Sequence, residues 1–89
     1  MKDFLDPRYL DALGADLIIE EKEDNRERTY VCFFNKSKSG EIDVEDQEVW
    51  RIKCVEKTGN ITRILWPNGS KTFEFSPSKR NEYNYKYSI

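Results

Sequence analysis

Beyond residue 16, apolar and polar side chains alternate through most of this chain. Tyr30, Cys32 and Phe34 stand at every second position, as do Trp50, Ile52 and Cys54, then Ile64 and Trp66, then Phe73 and Phe75. A period of two puts such residues on one face of a strand and their neighbours on the other. The pattern predicts a hairpin over 16–35, turning at Asp24-Asn25, and a three-stranded meander over 49–75 with strands at 49–57, 61–66 and 71–75. Thr58-Gly59-Asn60 and Pro67-Asn68-Gly69 supply turns of hairpin length between those strands. In the meander Trp50, Ile52, Cys54, Ile64, Trp66, Phe73 and Phe75 are expected to face the core. Arg51, Lys53, Arg63, Lys71 and Glu74 take the alternate, outer positions.

The flanks have other textures. Asp6 can cap a helix and Pro7 suits its first position, so a short helix is expected at about 7–13, with Tyr9, Leu10 and Leu13 on one side and Gly14 ending it. Residues 36–48 read as a loop, and 76–89 as a last strand or tail, which Pro77 separates from the meander because it cannot donate to a ladder. Tyr83, Tyr85 and Tyr87 alternate strictly, so an extended tail carries all three rings on one side. The reading is a single domain over 1–89. Its fold class is all-β with one short N-terminal helix, an antiparallel meander that makes a small barrel or half-open sandwich.

Composition narrows the chemistry. With 89 residues there is room for one core, and 13% aromatic residues argue for a folded chain although 36% of it is charged. No histidine occurs, which removes the usual general base and the commonest metal ligand. Cys32 and Cys54 are too few for a Cys-only zinc site, and each is in phase with large apolar neighbours, so both are expected to be buried, reduced thiols. Phosphate-binding glycine loops, nucleophile elbows and paired carboxylates in a recognisable frame are all missing, and the expectation is no enzyme, no cofactor and no metal. With no run of about 18 apolar residues and no apolar N-terminal stretch, the expectation is also no membrane partner, no export signal and a reducing compartment.

Charge is distributed unevenly. Up to residue 48 there are 7 basic and 14 acidic side chains, and after it 8 basic and 3 acidic. Glu41, Asp43, Glu45, Asp46 and Glu48 form an acidic run whose spacing lacks the glycine and terminal glutamate of a calcium loop. Two outcomes are open. Segregated patches would favour head-to-tail contacts between copies, whereas an acidic loop lying over the basic outer face would neutralise the charge within one molecule. Arg51, Lys53, Arg63 and Lys71 could meet phosphates while Tyr83, Tyr85 and Tyr87 stack on bases, but the net charge of −2 opposes nucleic-acid binding. The tyrosines could equally cover the core. A third possibility is an inhibitor that mimics nucleic acid through the acidic run.

Asp6-Pro7-Arg8-Tyr9, Leu13-Gly14, Val49-Trp50-Arg51-Ile52-Lys53, Gly59-Asn60-Ile61-Thr62, Trp66-Pro67-Asn68-Gly69-Ser70 and Tyr85-Lys86-Tyr87 span most of the chain. Together they resemble small proteins encoded among the virion structural genes of tailed bacteriophages. That resemblance implies a structural or assembly subunit of a head, neck or tail, assembled in the host cytoplasm and contacting other protein subunits or copies of itself. The expected function is therefore an assembly module, with a small-barrel nucleic-acid-binding module as the alternative.

Overall fold

The computed structural model describes residues 14–35, 37 and 44–88. The helix expected at 7–13 lies outside them, as do Glu41 and Asp43 of the acidic run. The described chain is an antiparallel sheet in the order β1-β2-β3-β4-β5, not closed into a barrel. Its strands are β1 (Leu17–Glu23), β2 (Arg26–Phe34), β3 (Trp50–Thr58), β4 (Ile61–Pro67) and β5 (Tyr85–Lys86). The hairpin expected over 16–35 is β1 and β2, turning at Asp24-Asn25. The β-branched and aromatic content of Arg26–Phe34 suits a central strand, and β2 pairs on both sides.

One face carries the main core. Tyr30 and Cys32 of β2, Trp50, Ile52 and Cys54 of β3 and Leu65 of β4 are buried together, with Leu17, Ile19 and Phe34 packed against them. The lid on this face is the C-terminal segment. Phe75, Tyr83 and Tyr85 close over it, with Tyr30–Tyr85 ring centroids at 5.5 Å, Phe75–Tyr83 at 5.0 Å and, within the sheet, Phe34–Trp50 at 5.3 Å. Such tilted and edge contacts add to the area that the rings bury.

The meander differs from expectation in two respects. First, β4 has the opposite phase. Its register sets Leu65 against Cys54 and Ile64 against Val55. Leu65 therefore joins the core, and Ile64 and Trp66 lie on the other face, with Arg51, Lys53 and Val55. A one-residue change of phase moves every side chain across the sheet, which is why Arg63, assigned to the outer face, sits on the core side opposite Glu56.

Second, 71–75 is not a strand. Asn68 and Gly69 have φ of 54° and 75°, the two positive values of a tight hairpin turn, and Ser70 N–H donates to the Pro67 carbonyl at 3.0 Å. The chain does not return along β4, however, because that edge is taken by β5, which pairs Trp66 with Lys86 and Pro67 with Tyr85. Phe75 instead makes an isolated bridge to Trp50, with bonds of 2.9 and 3.1 Å in the two directions. Phe73, expected in the core, is 38% exposed.

Pro77 opens a short 3-10 helix, Pro77–Glu82, rather than a strand. Its fixed φ and missing N–H suit a first helical position, and Lys79 N–H closes the turn on the Ser76 carbonyl at 3.1 Å. The Ser76 N–H donates to the Tyr83 hydroxyl at 2.8 Å, which fixes the far end of the turn against the core.

Candidate functional site

Arg51 and Lys53 alternate with Trp50 and Ile52 on β3, so the burial of those two apolar side chains sends both cations to the opposite face. The β4 phase brings Trp66 to the same place. Lys71, just past the Asn68-Gly69 turn, completes the group. The Lys71 ammonium lies 5.2 Å from the Trp66 ring centroid, the Arg51 guanidinium 5.3 Å and the Lys53 ammonium 5.8 Å. Arg51 also lies 5.7 Å from the Phe33 ring. Three cations thus share the negative π-face region of one indole, and the stems that reach it help bury Trp66. Among the described residues no carboxylate lies within ion-pair distance of Arg51 or Lys71. The cluster is a basic surface with an aromatic floor.

Of the four basic residues expected to act together, the structure brings Arg51, Lys53 and Lys71 into one group and separates Arg63. Arg63 belongs to a different constellation at one end of the core face. There Glu56, its side chain only 11% exposed, receives Arg28 Nε at 2.8 Å and has Arg63 at 3.8 Å and Arg26 at 4.0 Å. Burial works against the Arg28 charge, but hydrogen bonds to Tyr30 and Glu56 outweigh it and hold its pKa above the usual guanidinium range. Arg80 pairs with Glu21 at 3.0 Å beside this group. Alternation hinted at none of this, because the Glu56 cluster is assembled from β2, β3 and β4.

The tyrosine stripe is divided between the core and solvent. Tyr83 and Tyr85 are half-buried within the lid, with Arg28 5.3 Å from the Tyr85 ring, while Tyr87 is 64% exposed. Burial, with Tyr30 next to it, pushes the Tyr85 hydroxyl above the ordinary phenol range. Two of the three rings are therefore occupied in packing, and no continuous stacking platform remains.

The described part of the acidic run does not cover the Trp66 cluster. Val44–Asp46 forms a short 3-10 turn, the Ser76 hydroxyl donates to the Glu45 carbonyl at 2.5 Å, and Glu48 pairs with Lys79 at 3.7 Å. Glu45, Asp46 and Glu48 all remain exposed. Strands differ in composition: β1 carries Glu20, Glu21 and Glu23 against Lys22, whereas β3 carries Arg51, Lys53 and Lys57 against Glu56.

Cys32 and Cys54 are free and fully buried. Burial pushes each thiol up to about 12, so neither is a ready nucleophile near neutral pH. Among the described residues no group of three or more Cys, Asp or Glu side chains is placed to hold a metal ion. Hollows beside the hairpin are lined by charges of both signs, including Glu20, Glu21, Lys22, Glu27, Arg28 and Lys57. No family model, curated protein or solved structure matches the chain.

Proposed function

We propose that this chain is an assembly module that works by binding rather than by catalysis, and that the cluster of Arg51, Lys53 and Lys71 around Trp66 receives an acidic surface of a partner protein. The observation that supports it is the convergence of these cations on one ring, with Arg51 and Lys71 facing no carboxylate among the described residues. Cations held over an aromatic floor give both attraction and orientation to an incoming carboxylate. An acidic β1 on the far side of the sheet gives the domain two unlike surfaces, as suits a subunit that contacts more than one neighbour. The virion of a tailed bacteriophage is the setting that the sequence resemblance suggests.

The test is a titration at low salt, followed by tryptophan emission, with polyglutamate and with oligodeoxythymidylate as probes. Tighter binding of polyglutamate, abolished by Arg51→Glu with Lys71→Glu, supports the assembly reading. Tighter binding of the oligonucleotide moves the function to nucleic-acid recognition. Binding of neither removes the Trp66 cluster from the account.

A further inference from the structure

Among the described residues, β1 is the longest free edge of the sheet. Among the described residues, β1 pairs with β2 on one side and nothing pairs with it on the other, along seven extended residues or roughly 23 Å. Ile18 on this strand is 46% exposed, the highest value for a large apolar side chain in β1 or β2. An edge of this kind presents a row of main-chain donors and acceptors to any extended segment. On the assembly reading above, we propose that β1 is a strand-addition site for an extended segment of a partner protein, with apolar side chains opposite Leu17, Ile18 and Ile19 and basic side chains opposite Glu20, Glu21 and Glu23.

The side-chain order selects that partner over a second copy. An added antiparallel strand sets one side chain directly opposite each β1 residue, and like charges in that position are destabilising. Pairing two β1 strands antiparallel over six or seven residues sets Glu20 against Glu20 or Glu21, or else aligns Ile18 and Ile19 with Glu21 and Glu20. Pairing them parallel and in register sets each glutamate beside its copy. Self-addition is therefore opposed, while a strand with a basic half satisfies the same residues. Glu20 is the most informative position, since it is exposed and takes part in no ion pair among the described residues. Glu21 and Glu23 already meet Arg80 and Arg26 within the chain.

The probes are the peptide KTKKVVV, whose basic half lies opposite the acidic end of β1 in an antiparallel pair, and ETEEVVV as the control. Amide hydrogen exchange of the whole chain is measured with each. The expected result is that KTKKVVV slows exchange over 17–23 by about tenfold, ETEEVVV does not, and Glu20→Lys removes the effect while Glu20→Gln keeps part of it. No slowing, equal slowing by both peptides, or slowing confined to 50–66 overturns the proposal. Protection of 17–23 that rises with protein concentration without peptide overturns it in favour of a second copy. The polyglutamate titration reads Arg51, Lys53, Lys71 and Trp66, none of which lies on β1, so this edge can fail while the assembly reading stands.

Discussion

Leu65 lies directly opposite Cys54 in the β3–β4 ladder, and this pairing decides the face on which Trp66 sits. With Leu65 turned into the core beside Ile52 and Trp50, the next residue must point the other way, to Arg51 and Lys53. Leu65→Ala should cost about 2–5 kcal/mol, as for a truncated core leucine, and Ile64→Ala, at a half-buried position, distinctly less. Urea denaturation of both variants checks this. A larger loss for Ile64→Ala would mean that the strand has the opposite phase.

Trp50 should matter more for stability than Trp66 does. Trp50 packs on Phe34 and bridges to Phe75 in the main core, so Trp50→Ala should lose about 3–5 kcal/mol, a large part of the stability of so small a domain. Trp66→Phe keeps an aromatic floor beneath the cations and should remain folded while binding polyglutamate more weakly. Thermal melts and the titration separate the two effects.

Glu56 is the shared ion-pair partner of three arginines. Glu56→Gln leaves Arg26, Arg28 and Arg63 around a neutral side chain, and the expected loss is about 2–4 kcal/mol, since removing one partner of a buried ionic group strands the rest. Adding salt to the variant should recover part of the loss by screening the arginines from one another. A variant as stable as the parent would show that solvent already carries those charges.

Two tyrosines in the lid should respond differently to loss of the hydroxyl. The Tyr83 hydroxyl accepts from Ser76 N–H, so Tyr83→Phe should cost about 0.5–1.5 kcal/mol. The Tyr85 hydroxyl is buried with no partner among the described residues, so Tyr85→Phe should be neutral or stabilising. Equal losses in the two melts would contradict the difference in partners.

Stability should decline in alkali. Both thiols are pushed up to about 12 by burial, above their ordinary value of 9.0. Their contribution is fully present below pH 9, where thiols are protonated in both states. It is lost as pH rises from 9 to 12, because only the unfolded chain then releases the proton, with a slope of about 1.4 kcal/mol per pH unit for each thiol. Cys32→Ala with Cys54→Ala should flatten the decline, leaving the part due to the raised Tyr30 and Tyr85 hydroxyls. Reductant should leave the melting temperature of the parent unchanged, since both thiols are already free. A melting temperature that fell with reductant would mean a disulfide.

What the sequence determined by itself is local. Alternation and turn residues were enough for the β1–β2 hairpin, for the phases of β2 and β3, for the burial of both cysteines and for the outward course of Arg51 and Lys53, because each follows from the period of one strand or the chemistry of one turn. Tertiary structure decided everything that depended on choosing between neighbours. Ile64-Leu65-Trp66 is apolar at three consecutive positions, so no alternation marks its inner face, and only pairing with Cys54 selects Leu65. The Pro67-Asn68-Gly69 turn suits a hairpin, but its expected partner strand was displaced by Tyr85–Lys86, which lies 16 or more residues farther along the chain and pairs there while its tyrosine covers Tyr30. The same competition gathered Arg51, Lys53 and Lys71 around Trp66 and sent Arg63 to Glu56, although a period of two had placed these four cations on one face. Periodicity reports the geometry of one strand, whereas register is set by the burial free energy of the whole sheet.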